Sequence, residues 1–256
     1  MSSAVQHLAS SNRRVTALRK LINSRKARHD ERLFVVDGPR ALSTIVETCC
    51  VVDAIFVDDE GLVDDAMLGD ETAVFVLDRS VLESVADTQT PQGVLAVVAM
   101  RSCSLGDIAD RRRVVVLDGV QDPGNVGAIV RVAAALGWDA VVACKGSGDP
   151  WSPKAVRASA GTVGMVDVVV DIGAAEAVAA LGAAGIRLVG ADMSPTVDLG
   201  EIDTSSPLAL VLGAEGQGLS QETRHLLNDI VAVDMTAPVE SLNVAVTGGI
   251  VMHTLR

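Results

Sequence analysis

Tyrosine is absent from this chain of 256 residues, and the other aromatics amount to three Phe and two Trp. Phe34, Phe56, Phe75, Trp138 and Trp151 are too few and too dispersed to form stacking platforms, so base stacking is excluded as the main mode of any nucleic-acid binding. Cysteine is scarce too. Cys49, Cys50, Cys103 and Cys144 contain no CxxC spacing, which excludes a zinc ribbon and a disulfide framework; the adjacent pair reads as structural. His7, His29, His225 and His253 are scattered without metal-ligand spacing, so no metal is expected. No apolar run approaches membrane-spanning length, and the N-terminus lacks the apolar core of a signal peptide. A soluble, cytoplasmic protein with reduced thiols and no membrane partner is expected.

What is present is a core and a charge split. Hydrophobic residues make up 49% of the chain, mostly Ala, Val and Leu, enough to bury a sizeable interior. The net charge is −12, which argues against a polyanion partner until its distribution is read. Residues 1–32 carry Arg13, Arg14, Arg19, Lys20, Arg25, Lys26, Arg28 and Arg32 against Asp30 and Glu31, a local +6 that leaves −18 on the rest. Such a split suggests a polyanion-binding arm on an acidic body; a solvated basic helix face is the plainer alternative.

Apolar residues Val15, Leu18, Leu21 and Ile22 recur at helical spacing within residues 12–29. Strands are expected at Leu33–Asp37, Val51–Val57, Ala73–Leu77 and Val94–Ala99, with helices at Ala41–Thr48 and Ser80–Ala86. These form a small α/β domain over residues 1–100. A charged stretch ending in Arg111-Arg112-Arg113 separates it from a second domain, 107–256, in which continuously apolar strands alternate with helices. That pattern implies a parallel sheet covered on both faces. Trp138 reads as core; Trp151 is open between packing and RNA contact.

Three segments of the second domain carry clustered glycine and polar residues beside a strand, where open α/β sheets bind ligands. The first is Leu117-Asp118-Gly119-Val120-Gln121-Asp122-Pro123-Gly124-Asn125-Val126-Gly127, followed by Arg131. Asn125 falls at a helix start. Arg131 lies in sequence among Ile129, Val130, Val132 and Ala133, company that calls for a guanidinium that is paired or used. The second is Leu210-Val211-Leu212-Gly213-Ala214-Glu215-Gly216-Gln217-Gly218-Leu219-Ser220, whose glycine order is not that of a dinucleotide fingerprint, which argues against a nicotinamide-dependent dehydrogenase. The third is Val233-Asp234-Met235-Thr236-Ala237-Pro238-Val239-Glu240-Ser241-Leu242-Asn243-Val244, with Ser241 expected to cap the last helix. Asn243 is a poor helix former and suggests a polar task or a local backbone bond.

In this order and spacing the segments resemble the three motifs of the SpoU (TrmH) family of RNA ribose 2′-O-methyltransferases, in an arrangement similar to the branch that includes thiostrepton-resistance methyltransferases. Phe34–Gly38 and Thr90–Val94 resemble the family's N-terminal substrate-binding domain, which is L30e-like, and Ser152–Gly161 resembles a further family segment. The resemblance implies a C-terminal SPOUT domain with a deep trefoil knot, a homodimer, and S-adenosylmethionine as cofactor, held by the backbone around Leu212, Gly213, Ala214, Gly218, Val233 and Leu242. It implies a catalytic set of Arg131, Asn125, Glu215, Ser241 and Asn243. RNA is the implied partner, 23S ribosomal RNA favoured over transfer RNA, contacted through the N-terminal basic residues and Arg157.

A ribose 2′-hydroxyl is a weak nucleophile, so its proton must leave or its developing alkoxide be stabilised. A guanidinium normally stays charged, and the electrostatic role is the easier one for Arg131. Glu215 and Asn125 are expected to position Arg131, with Ser241 and Asn243 ordering the loop. One departure from the family pattern is Asp234, where an Ile-Pro-Met run usually has Pro; it adds a carboxylate and frees a φ angle beside the expected cofactor site. A transfer-RNA enzyme or a catalytically inactive RNA-binding homologue remain alternative readings.

Overall fold

The computed structural model describes residues 6–48, 50–64, 67, 69, 72–88, 90–101, 103–236 and 241–256. Cys49 and the stretch 237–240 of the third motif segment lie outside the described residues. The chain forms two compact units, residues 1–101 with 151–165, and residues 102–150 with 166–256. Segment 151–165 thus packs with the first unit, although sequence reading places it inside the second domain.

In the first unit, strand β1 (Gln6–Leu8) precedes helices α1 (Arg13–Asn23) and α2 (Arg25–Glu31). The single helix expected over 12–29 is broken at Ser24, whose extended backbone ends α1 while its hydroxyl accepts the Ala27 N–H that opens α2. Then follow β2 (Leu33–Asp37), α3 (Pro39–Val46), β3 (Val52–Val57), β4 (Ala73–Leu77), α4 (Arg79–Val85) and β5 (Val94–Ala99). The strands pair in the order β1-β4-β3-β5-β2, with β5 antiparallel to both its neighbours. Val15, Leu18, Leu21 and Ile22 are buried, as their spacing requires, and join Phe56, Phe75, Leu77 and Val97 in one core.

The second unit holds β6 (Arg113–Asp118), α5 (Pro123–Leu136) and β7 (Ala140–Ala143). The chain then passes through the first unit as α6 (Pro153–Ser159), which packs on β2. It returns as β8 (Asp167–Val170), α7 (Ala174–Ala183), β9 (Arg187–Ala191), β10 (Leu208–Gly213), α8 (Gln221–Arg224), β11 (Asp229–Val231) and α9 (Val244–Thr254). All six strands run parallel in the order β11-β9-β10-β6-β7-β8. The strand interiors Val114–Leu117 and Leu208–Leu212 are buried on both faces, which is why they read as continuous apolar runs.

Helix α5 turns Val126, Ile129, Val130 and Ala133 into the core, each fully buried. Burying each of its larger aliphatic side chains contributes on the order of 1.5–3 kcal/mol. The helix starts at Asp122, whose carboxylate accepts the N–H groups of Gly124 and Asn125, and ends at Gly137 in the left-handed conformation (φ 74°) that glycine adopts without strain. Trp138 is core, its indole N–H donating to Met252 O at 3.2 Å. Trp151 is also buried, edge-on to His29 in the first unit, so packing is its role.

Candidate active site

From β6 the sheet is built in both directions, toward β7 in one and toward β10 in the other. Ligands bind outside the carboxyl ends of strands at such a switch point, because the loops there diverge and leave a crevice. Asp118 and Gly213 face each other in register as the last residues of β6 and β10. The first and second motif segments therefore leave the sheet side by side.

The second segment doubles back immediately. Ala214 N donates to Gly218 O at 3.0 Å and Gly218 N to Ala214 O at 2.9 Å, closing a tight loop. A Cβ on Gly213 would lie 2.2 Å from the Gly218 carbonyl carbon, so only glycine fits there. The loop tip presents Glu215 to the first segment. Its Oε1 accepts Asn125 Nδ2 at 2.8 Å and its Oε2 accepts Gln121 N at 3.2 Å. Burial works to raise the Glu215 carboxyl, but hydrogen bonds from Asn125 and from nearby backbone N–H groups outweigh it and hold the group below its ordinary value.

The third segment joins the same relay. Asn243 Nδ2 donates to Asn125 Oδ1 at 3.0 Å, while Asn243 Oδ1 accepts the N–H groups of Ala245 and Val246 at 2.9 and 3.3 Å. Asn243 therefore caps α9, which corrects the expected cap at Ser241. Ser241 is exposed and bonds to no described residue.

Arg131 does not meet these groups. It lies on the outward face of α5 because Ile129, Val130 and Ala133 take the inward positions, and it is exposed. The expectation that Glu215 and Asn125 position Arg131 is corrected: both carboxylate oxygens are engaged by Gln121 and Asn125, and no described residue pairs with the guanidinium. Asn125, Ala128, Val132, Asn243, Val246 and Ile250 line a shallow groove between α5 and α9, with Val246 and Ile250 exposed at 51% and 40%.

Of the expected cofactor residues, Leu212 and Gly213 are buried at the end of β10, Ala214, Gly218 and Val233 are half-buried, and Leu242 is exposed. Asp234 is exposed rather than turned into the protein. Met235 and Leu242 expose apolar side chains, at 36% and 37%. No cluster of metal-ligating side chains occurs among the described residues, and no described helix is long and apolar enough to cross a membrane.

Two of the basic residues expected to contact RNA have partners within the protein. Arg28 is 5% exposed and donates from Nη1 to Leu21 O and Ile22 O, the last carbonyls of α1. Arg157 pairs with Asp87 at 2.9 Å, inside the first unit. Arg14 lies over the Phe75 ring, 4.6 Å from its centre, and Arg19 donates to Ser84 Oγ. Lys26 pairs with Asp30 four residues on. Arg13, Arg14, Lys20, Arg25 and Lys26 are exposed. Sequence reading passed over Asp122, whose place three residues before Asn125 is the signal of a cap.

Residues 112–253 match the SpoU rRNA methylase family, and residues 12–96 match the MRM3-like substrate binding domain. The chain belongs to the SpoU family. It is 30% identical over 239 residues to the 23S rRNA (guanosine(2553)-2′-O)-methyltransferase RlmP of Bacillus subtilis, covering 93% of this chain and 94% of that protein. Among solved structures, the AdoMet-bound rRNA methyltransferase from Sinorhizobium meliloti superposes with a TM-score of 0.87 at 26% identity, over 98% and 97% of the two chains. The SpoU methyltransferase AviRb of Streptomyces viridochromogenes, in complex with AdoMet, gives 0.84 at 28% identity, over 95% and 97%. As a SpoU methylase the chain is an S-adenosylmethionine-dependent RNA 2′-O-methyltransferase.

Proposed function

We propose that this protein methylates a ribose 2′-hydroxyl of 23S ribosomal RNA. The observation that carries the reading is the relay Glu215–Asn125–Asn243, which locks the three motif segments together at one end of the parallel sheet. Leu212, Gly213, Ala214, Gly218, Val233 and Leu242 hold S-adenosylmethionine, which supplies an electrophilic methyl group on a sulfonium. Arg131 faces the ribose and stabilises negative charge as it develops on the 2′-oxygen, and the hydroxyl proton passes to solvent. Asn125 and Asn243 fix the rim of the site, Glu215 orients Asn125, and Ser241, exposed at the rim, contacts the RNA.

The reading extends to assembly and fold. The groove between α5 and α9 exposes Val246 and Ile250, and a second copy of this chain is its occupant, giving a homodimer. A trefoil knot is supported by the segment after β9, which bonds to β11 through Asp192 N to Val231 O and Thr196 N to Ile230 O, while α9 packs back against β9 and β10. The first unit is an L30e-like RNA-binding domain, its polyanion contacts made by Arg13, Arg14, Arg19, Lys20, Arg25 and Lys26. A ribosomal-RNA substrate places the enzyme in the cytoplasm, with neither metal nor membrane involved.

The test is methyl transfer from labelled S-adenosylmethionine to 23S ribosomal RNA, with transfer RNA in parallel, followed by mapping of 2′-O-methylated positions. Label in ribosomal RNA that falls by about 10²–10³-fold in Arg131→Ala, with cofactor affinity within twofold of wild type, is the expected result. Label in transfer RNA alone moves the reading to that substrate. Cofactor binding without transfer to any RNA assigns the chain to inactive RNA-binding homologues.

A further inference from the structure

Between β9 and β10 the chain runs through Asp192-Met193-Ser194, a stretch that belongs to none of the three motif segments. Its first residue is tied to more of the surrounding chain than its position at a strand end would suggest. The Asp192 carboxylate accepts Ser194 N at 3.1 Å and pairs with Arg224 Nη1 at 2.9 Å. The Asp192 N–H donates to Val231 O at 3.0 Å. Arg224, at the end of α8, closes the circuit by donating from Nη2 to Ser194 O at 3.1 Å.

The carboxylate is also packed against glycine backbone. A Cβ on Gly218 would stand 3.1 Å from Asp192 Oδ2, so the Gly-rich loop and the carboxylate meet closely. Gly218 is the residue that closes that loop onto Ala214. Only 16% of the Asp192 side chain is exposed, and 32% of Arg224. Burial disfavours the Asp192 charge, yet the bonds from Arg224 and Ser194 prevail and hold the group below its ordinary value. A group kept ionised against burial by a fixed set of donors resists displacement.

We propose that Asp192 and Arg224 are positioning residues that fix the Gly-rich loop after β10 against the strand leading to the third motif segment, and so set affinity for S-adenosylmethionine. The inference rests on the cofactor placement of the preceding subsection. Both walls of that site are loops: residues 213–218 on one side, and the chain beyond Val231 on the other. The Asp192 carboxylate packs against the first at Gly218, and its backbone N–H bonds to the second at Val231, so a change of side chain acts on the first. Neither residue is placed to touch the reacting atoms, so loss of either acts through the geometry of the loops.

Titration of the full-length protein with S-adenosylmethionine separates this role from general stability. Asp192→Ala is expected to weaken binding at least tenfold and to raise KM for the cofactor, with kcat at saturation within threefold of wild type. Arg224→Met weakens binding several-fold, and the double variant is no worse than Asp192→Ala, because the pair acts as one unit. Arg111→Met serves as the control. It breaks the comparable Arg111–Asp167 ion pair elsewhere in the same unit, and is expected to lower the melting temperature with affinity within twofold. If Asp192→Ala fails to fold, Asp192→Asn carries the test, since its one carbonyl oxygen still accepts Ser194 N while the charge that holds Arg224 is gone. Unchanged affinity in the Asp192 variants overturns the inference, as does equal weakening by Arg111→Met. Failure of the wild type to bind overturns the functional reading instead, and this inference with it.

Discussion

Asn125 and Asn243, 118 positions apart in the chain, are joined by one 3.0 Å hydrogen bond between their side-chain amides. The bond uses the Asn243 donor while the Asn243 acceptor caps α9, so one residue serves stability with its oxygen and the site with its nitrogen. The two tasks separate by substitution. Asn243→Ala removes both and is expected to cost about 1 kcal/mol of stability, the usual value of an N-cap. Asn243→Asp keeps the cap and suits the positive end of the helix, so stability stays within about 0.5 kcal/mol of wild type. Methyl transfer falls in both. Urea denaturation alongside an activity assay reads the two effects, and full activity in Asn243→Asp would remove the bond to Asn125 from the mechanism.

The basic residues of the first unit divide in the same manner. Arg28 satisfies carbonyls that would otherwise be buried without a donor, so Arg28→Ala is expected to lose about 1–3 kcal/mol of stability. Arg13→Ala and Lys20→Ala change exposed positions and leave stability unaltered. RNA affinity then falls in these two, and the slope of log affinity against log salt drops by about 0.7–0.9 for each phosphate that is no longer neutralised. A salt slope identical to wild type would exclude both residues from the RNA-facing surface.

Asp37, at the end of β2, has a buried carboxylate oxygen with no partner among the described residues. Burial raises its carboxyl above the ordinary 3.8, with nearby Arg157 opposing and Asp87 reinforcing the shift. The folded protein thus binds this proton more tightly than the unfolded chain, and stability is lost as pH rises from 3.8 through the folded value. Asp37→Asn should therefore be more stable than wild type at about pH 7, with the gap shrinking as pH falls toward about 4. Denaturation at the two pH values checks the sign, and a variant less stable near neutrality refutes it.

The Cys144 thiol is 2% exposed and is pushed up to about 12 by burial, with the negative charge of Asp118 adding to the shift. It stays protonated, and so unreactive, in the folded protein at about pH 8. Iodoacetamide at that pH should leave Cys144 unmodified until denaturant is added, as peptide mass spectrometry would show. Rapid alkylation of the native protein would mean that the end of β7 opens.

The parallel sheet was legible in the sequence because a strand buried on both faces leaves an unbroken apolar run, as in Val114–Leu117. The site was legible as three polar segments because Glu215 follows a strand end and Asn125 and Asn243 stand at helix starts, where a core has no use for them. Their mutual bonds were not, since spacing says nothing about contacts across the sheet. Ser241 and Asn243 are both good caps by residue type, and only the backbone distinguishes them. Arg28 and Arg157 illustrate a deeper ambiguity: a guanidinium that satisfies buried carbonyls and one that meets a phosphate are the same letter. The three-residue β1 is too short for any period to register, and the break at Ser24 does have a signal, Asn23-Ser24, which the apolar period running on both sides hides.

The path of residues 151–165 bears on how this protein can be divided. They leave the second unit after β7, supply α6 to the first, and return before β8, so the peptide backbone links the units at three places rather than one. A fragment ending at Arg101 would lack the helix that covers β2 and expose that strand's apolar face to water. The unit that folds together is thus not a continuous stretch of gene, and a first unit meant to fold alone has to carry 151–165 as well as 1–101.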